Sequence, residues 1–270
     1  MRFFSFLLPF LSLGAGISGY YIRSIELATV FDPVTGLAQR DAFISMVLIG
    51  VSCFVFLVTI IFSIRASIRY TVAADYDNAF GTDSFTYPAI YTAIGTVWLV
   101  ATLVYFFGYY VMGDDDLIIR IFSISSASAA IFLIIFSLEV YKNPRRKFLS
   151  FLSVIPTLFM CLWLILVYRD NASNPVLFSY AYKILAIVFA AMGCYFSSSF
   201  AIGKPVIGKA IVSYVGAIYF CVLTLADDYP MSMKFILSAI AFMSIFNLAS
   251  LLWNLQKKSW IRKYRIQKTG

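Results

Sequence analysis

Histidine is absent from this chain of 270 residues, and several kinds of chemistry are excluded with it. Serine–histidine catalysis of the rhomboid kind, zinc proteolysis at an HExxH motif and haem ligated by histidine all require an imidazole. The chain also lacks the GxxxxGK[ST] and GxGxxG loops that cradle phosphates. The usual catalytic constellations are therefore missing, and an enzyme is the least favoured class of function.

Cysteine is scarce, and its four residues, Cys53, Cys161, Cys194 and Cys221, each stand alone within an apolar run. No pair has the spacing of metal ligands, and none lies in a loop where a disulfide would form. We interpret all four as small apolar packing residues. The sequence thus predicts no metal site and no cofactor.

Charged residues are also few, at 13%, whereas 61% of the residues are hydrophobic and the mean hydropathy is +0.88. A soluble domain is typically about half apolar and a quarter charged. A helix crosses a bilayer with roughly 20 mainly apolar residues, and eight uncharged runs of suitable length occur, at 3–22, 42–64, 84–113, 121–138, 148–168, 184–203, 210–226 and 235–256. These runs do not alternate as barrel strands do. We predict an all-α bundle of eight transmembrane helices, residues 1–256, followed by a basic tail, residues 257–270.

Basic residues set the expected orientation of this bundle. With the N-terminus in the cytoplasm, 15 of the 21 basic residues fall on the cytoplasmic side, as the positive-inside rule requires. Most acids, including Asp170 and Asp227, fall outside. Both termini are then cytoplasmic, in the cell (plasma) membrane, and the net charge of +8 reflects anchoring to anionic lipids of the cytoplasmic face rather than nucleic-acid binding. As an alternative, the basic and apolar start resembles a signal peptide, and cleavage near Gly16 would leave seven helices.

A polar patch, FDPVTGLAQRD, interrupts the apolar sequence at residues 31–41. Asp32 and Pro33 favour a turn, and Gly36 supplies a position with positive φ. The order of a helix ending in YYIR at 20–23, then FDPVTGL, then seven more helices resembles uncharacterised eight-helix integral membrane proteins of Gram-positive-type bacteria. The resemblance implies no activity, substrate or catalytic residue. We interpret the patch as a structured outer loop, with a lid over an outer vestibule as the alternative.

Polar residues inside the predicted helices are the candidates for a ligand site. Lys183 is expected near the outer end of its helix, within reach of the headgroups. Ser126 lies among small residues that favour close helix packing, with a hydroxyl-lined pathway as the alternative. Ser244 and Asn247 form part of a narrow polar stripe, and we expect Asn247 to bond another helix rather than face lipid.

The basic tail is a candidate anchor on the lipid surface. Aromatic residues are interleaved among its basic residues. The candidate anchor residues are Lys257, Lys258, Trp260, Arg262, Lys263, Tyr264 and Arg265. Each lysine or arginine near an anionic leaflet contributes about 1 kcal/mol. We expect either a helical extension along the inner leaflet or a basic tail that only enforces topology.

A faint similarity joins residues 105–132 to residues 218–246 and would suggest two four-helix halves in parallel repeat. Two classes of function fit these observations. The first is a transport or sensing component for a neutral or lipid-like ligand, which requires a cavity that holds polar groups such as Asn247 and Ser126. The second is an accessory or structural subunit of a membrane complex, partnered by other membrane proteins, which predicts a filled bundle.

Overall fold

The computed structural model describes residues 2–31, 42–72, 79–80, 85–111, 117–142, 146–171 and 177–257. In this part of the chain eight long helices follow one another: α1 Arg2–Thr29, α2 Phe43–Arg69, α3 Thr86–Val111, α4 Leu117–Lys142, α5 Arg146–Asp170, α6 Leu177–Ala201, α7 Ile207–Thr224 and α8 Met231–Asn254. All eight are long and apolar enough to span a membrane. The predicted all-α fold with eight spanning helices is thereby confirmed.

Seven of the eight helices run further than the uncharged stretches predicted, at one end or at both, and α3 is the exception. α1 continues through Arg23 and Glu26 to Thr29, and α2 continues to Arg69. The predicted end of the first helix at residue 22 was wrong because a charge does not end a helix when a partner one turn away neutralises it. Arg23 and Glu26 form such a pair, at 2.7 Å.

The shortest helix, α7, lies at the centre of the bundle. Of its spanning window 78% is buried, against 22% for α2 at the periphery. α7 packs against α1, α2, α6 and α8. Glycines allow the close approach: a Cβ at Gly216 would lie closer than 3.0 Å to the ring of Phe189 on α6, and Gly16 of α1 lies against Val222.

The other main feature is a ring of five helices, in which α8, α3, α4, α5 and α6 follow one another in space. The ring closes where α6 approaches α8, and α7 lies against that closure. Helix α3 packs mainly against α4 and α8, so its surroundings differ from those of α7. The two four-helix halves suggested by the internal similarity therefore do not occupy equivalent places.

Two short strands join the ends of α2 and α8. β1, Tyr70–Thr71, pairs antiparallel with β2, Gln256–Lys257, and Tyr70 lies opposite Lys257. α8 has already ended at Asn254, whose side-chain amide donates to the carbonyl of Ala79 at 3.1 Å. A helical extension that begins at Lys257 is therefore wrong at that residue, because backbone pairing with β1 holds it in an extended conformation.

Candidate functional site

Two cavities lie inside the five-helix ring, at opposite ends of the bundle. Each is lined by residues from all five helices, α3, α4, α5, α6 and α8. We call the one that contains Lys183 the lysine cavity and the one that contains Asn247 the asparagine cavity. Because all five helices contribute to both, the two cavities share one axis through the ring.

The lysine cavity has a volume of about 220 Å³. Phe122 of α4 and Trp163 of α5 form part of its wall, and both are buried. Two charged groups line it as well, Lys183 near the start of α6 and Asp170 at the end of α5. The cavity therefore combines an apolar aromatic surface with one basic and one acidic group.

Lys183 is buried, with 8% of its surface exposed. Its ammonium nitrogen lies 4.3 Å from the ring centroid of Tyr229, in the turn between α7 and α8. The side chain thus lies under Tyr229 inside the bundle, and not on the outer surface as expected from snorkelling to the headgroups. Burial raises the pKa of the Tyr229 phenol, and the negative charge of Asp227 raises it further.

The asparagine cavity is smaller, at about 40 Å³, and has polar groups in its wall. Tyr91 of α3 donates a hydrogen bond to the side-chain oxygen of Asn247 on α8. Ser197 of α6 shares a hydrogen bond of 2.6 Å with the Tyr214 hydroxyl. Pro156 lines the same space and, having no N–H, leaves the carbonyl of Leu152 without its usual helical donor. A volume of this size accommodates a few water molecules between polar partners.

A layer of aromatic rings separates the two cavities, and we call it the aromatic plug. It consists of Trp98, Phe122, Phe159 and Trp163, whose neighbouring ring centroids lie 5.5–5.8 Å apart. On α3, Trp98 lies seven residues after Tyr91 of the asparagine cavity and seven before Tyr105 of the lysine cavity. Seven residues of helix rise by roughly 10 Å. The plug thus lies midway along the ring.

Ser126 of α4 anchors this plug by hydrogen bonds. The indole N–H of Trp98 donates to its hydroxyl at 2.9 Å, and the hydroxyl of Thr102 lies 2.8 Å away. Ser126 and Trp98 are both fully buried. A buried donor without an acceptor costs about 1–3 kcal/mol, so these bonds fix the position of the indole.

A buried cluster of charges lies at the same end as the lysine cavity. Arg23 of α1 donates to Glu26 at 2.7 Å and to Asp227, in the α7–α8 turn, at 2.9 Å. Ser45, at the start of α2, donates to the other oxygen of Glu26 at 2.5 Å. The Tyr182 ring of α6 lies 4.9 Å from the guanidinium. Four parts of the chain are joined here by one arginine and two carboxylates.

The α7–α8 turn connects this cluster to the lysine cavity, because it carries both Asp227 and Tyr229. Burial raises the pKa of the Asp227 carboxyl above its ordinary value, although the charges of Arg23 and Lys183 act in the opposite direction. The second oxygen of Asp227 is buried and accepts no hydrogen bond from the described residues. On α6 the neighbours Tyr182 and Lys183 contact the cluster and the cavity respectively.

The four polar positions predicted inside the helices thus have different places. Lys183 lines one cavity and Asn247 the other, where Asn247 bonds a second helix as expected. Ser126 lies in the layer between them. Ser244 is buried and donates to the carbonyl of Ile240 in its own helix, at 2.9 Å, so it belongs to neither cavity.

Other predicted features lie wholly or mostly outside the described residues. The patch FDPVTGLAQRD is described only at Phe31, whose ring lies 5.5 Å from the Arg23 guanidinium. Of the candidate lipid anchor only Lys257 is described, as a strand residue. The anchor at residues 258–270 stays a prediction.

Within the described ranges, no group of three or more histidine, cysteine, aspartate or glutamate side chains is placed to hold a metal ion. Cys194 and Cys221 are buried, and Cys53 and Cys161 are exposed on the outside of the bundle. Asp227 lies in the turn between α7 and α8, where it is bound to Arg23.

Sequence reasoning missed the charge cluster, although a signal for it existed. Arg23 and Glu26 are three residues apart directly after an apolar run, which is the spacing of a pair on one helical face. No pattern in the sequence linked them to Asp227, which lies 204 residues after Arg23.

Taken together, these features define an all-helical chain with the architecture of a multi-pass membrane protein, built around a central helix and a ring that holds two cavities. The chain matches no protein-family model, no curated protein and no solved structure. Its function is therefore argued from the ring itself.

Proposed function

We propose that this chain is a membrane transport protein for a lipid-like amphiphile, and that the path of the substrate runs through the five-helix ring. The observation that supports this proposal is the pair of cavities on one axis, separated by the aromatic plug. A carrier must expose one site first to one side of the membrane and then to the other. Two cavities that face one layer from opposite sides fit such alternation, which requires the plug to open by breaking the hydrogen bond between Trp98 and Ser126.

The contents of the cavities favour an amphiphile as the substrate. The lysine cavity has apolar side chains such as Phe122 and Trp163 in its wall, but its polar surface is larger than its apolar surface and includes Lys183, Asp170 and Tyr105. The asparagine cavity adds hydroxyl and amide groups but no charge. A substrate with an apolar body and a single polar head matches both surfaces.

A structural subunit and a sensor would each have a different arrangement of cavities from a transport protein. A structural subunit would need no cavity inside the ring, and its helices would pack as tightly there as α7 packs elsewhere. A sensor needs one cavity open to one side. The positions of the two cavities on opposite sides of the plug favour transport over both.

Thiol labelling tests the proposal, because the asparagine cavity contains a native cysteine, Cys194. A variant that retains only Cys194 would be compared with a matched variant that retains only Cys221, which is equally buried but lines neither cavity. A third variant would carry only Met233→Cys, in the lysine cavity. Each would be reconstituted in vesicles and exposed from one side at a time to silver ion in chloride-free buffer, a charged thiol reagent small enough for a cavity of about 40 Å³.

We expect Cys194 to react from one side, Met233→Cys to react from the opposite side, and Cys221 to remain unmodified. Reaction of Met233→Cys without any reaction of Cys194 would show a cavity with one opening and would overturn transport in favour of sensing. If neither reacted while an exposed position such as Lys204→Cys did, the ring would be filled and the proposal wrong.

A further inference from the structure

Among the described residues, the buried ammonium of Lys183 forms no direct ion pair, although the charges of Asp170 and Asp227 act on it from a greater distance. No carboxylate of the described residues lies within salt-bridge distance of it, and it donates no hydrogen bond to them. The nearby Arg23 is also buried but is paired with two carboxylates. A contact with an aromatic ring, such as that with Tyr229, offsets only part of the cost of burying a charge that forms no ion pair.

The missing partner has room to bind, because Lys183 lines the lysine cavity. Asp170 lines it as well, but its side chain is exposed and forms no ion pair with Lys183. The rest of the wall includes Phe122, Trp163 and Met233. An anionic group inside this cavity would therefore meet an unpaired cation while its apolar part met aromatic and aliphatic surface.

Volume and charge limit what can bind there. A cavity of about 150 Å³ holds one benzene ring, so the volume of about 220 Å³ corresponds to one ring with a short side chain. One negative charge balances Lys183. A second would be repelled by Asp170, whose charge lies close enough to act on Lys183.

We propose that the lysine cavity binds a small organic monocarboxylate, with the carboxylate at the ammonium of Lys183 and an aromatic or branched aliphatic body against Phe122 and Trp163. This inference rests on the proposed transport function and specifies the polar head of the amphiphile. Asp170 acts as a selectivity group that excludes dianions.

The test uses the full chain purified in a neutral detergent, with 3-phenylpropionate as the probe. Its uncharged analogue 3-phenylpropionamide has nearly the same shape, and phenyl phosphate supplies a dianion. The apparent affinity of each compound would be taken from the ligand-dependent rise in the unfolding midpoint and from quenching of tryptophan fluorescence. A charge-assisted hydrogen bond contributes about 1.5–3 kcal/mol, so we expect the carboxylate to bind about tenfold or more tightly than the amide.

Variants test whether the preference for the carboxylate over the amide depends on the Lys183 side chain. Lys183→Met should abolish the preference for the carboxylate, and Lys183→Arg should preserve it, which covers the case in which the methionine variant does not fold. Lys234→Met is the matched control, since Lys234 directly follows the cavity residue Met233 but does not line the cavity; it should leave the preference unchanged. Asp170→Asn should increase binding of phenyl phosphate.

Equal affinity for carboxylate and amide, or a preference that survives in Lys183→Met, would overturn the inference. Thiol labelling of Cys194 and Met233→Cys requires no ligand, so it is independent of this result. Successful labelling without a carboxylate preference would leave the transport proposal in place and refute only the assignment of the polar head.

Discussion

Arg23 and Lys183 are two buried cations with different roles, since Arg23 stabilises the bundle and Lys183 is proposed to bind a ligand. Both cations are buried at the same end of the bundle, but Arg23 binds two carboxylates, whereas Lys183 forms no ion pair with the described residues and lies between the Tyr229 ring and a cavity. A fully paired charge holds helices together. An unpaired charge beside a cavity attracts a ligand.

Replacement of Arg23 tests its structural role. Arg23→Met leaves Glu26 and Asp227 buried without their cation, and breaking a buried pair in this way costs about 3–5 kcal/mol. We expect a loss of that size in the free energy of unfolding, measured by denaturation in mixed micelles. Arg169→Met is the control, because Arg169 is exposed in the last turn of α5 at the same end. It should change stability by less than about 0.5 kcal/mol.

A triple variant distinguishes lost charge pairing from lost packing. Arg23→Met combined with Glu26→Gln and Asp227→Asn removes all three charges, and neutral replacements of buried ion clusters are often tolerated. Much of the lost stability should return. Equal destabilisation by Arg23→Met and Arg169→Met would contradict the cluster.

At the scale of elements, a glycine allows α7 to approach α6 closely at one point. Gly216 allows Phe189 of α6 to lie directly on the α7 backbone, and Phe189 stacks on Phe56 and Phe220 with centroids 4.8 and 5.6 Å away. The same three rings line a further cavity of about 390 Å³ between α2, α6 and α7.

A single methyl group tests this packing. Gly216→Ala would place Cβ closer than 3.0 Å to the inner atoms of the Phe189 ring, so the ring or the helix must shift. Overpacking of this kind costs about 1–3 kcal/mol, and we expect the unfolding midpoint to fall. Gly50→Ala on α2, where a Cβ meets nothing within 4 Å, should leave it unchanged or slightly higher. Similar midpoints for the two variants would mean that α6 and α7 are not in close contact at Gly216.

For the whole molecule, the alternating direction of the helices brings the lysine cavity and the charge cluster to one end and the asparagine cavity and the two strands to the other. Charge in the sequence predicts that the second end faces the cytoplasm. Under the transport proposal, the lysine cavity then takes up its ligand from the outer side.

Reporter fusions after Gly270 test that orientation. A fluorescent protein that matures only in the cytoplasm should be bright, and a phosphatase that folds only outside should be inactive, because 15 of the 21 basic residues are then cytoplasmic. The intact chain is used in both fusions, and expression levels are matched by immunoblot. An active phosphatase would reverse the predicted topology and place Lys183 on the cytoplasmic side.

The positions of the helices could largely be predicted from the sequence, whereas the two cavities and the charge cluster could not. Long uncharged runs located all eight helices, but helix ends were wrong where charged residues such as Arg23, Arg69 and Arg120 lie inside a helix. The polar stripe of α8 correctly pointed to a bond between Asn247 and another helix. The role of Lys183 could not be predicted, because its burial depends on Tyr229, which comes from a different helix pair.

The sequence by itself determined the all-helical architecture, the number of spanning helices and the absence of histidine chemistry, since hydropathy and composition act locally along the chain. Only the tertiary structure decided which polar groups meet. It paired Arg23 with Asp227, separated the two cavities with the aromatic plug, and placed Lys183 beside a cavity under the Tyr229 ring. The physical reason is that electrostatic pairing and cavity formation depend on distances between helices far apart in the chain, which local periodicity does not encode.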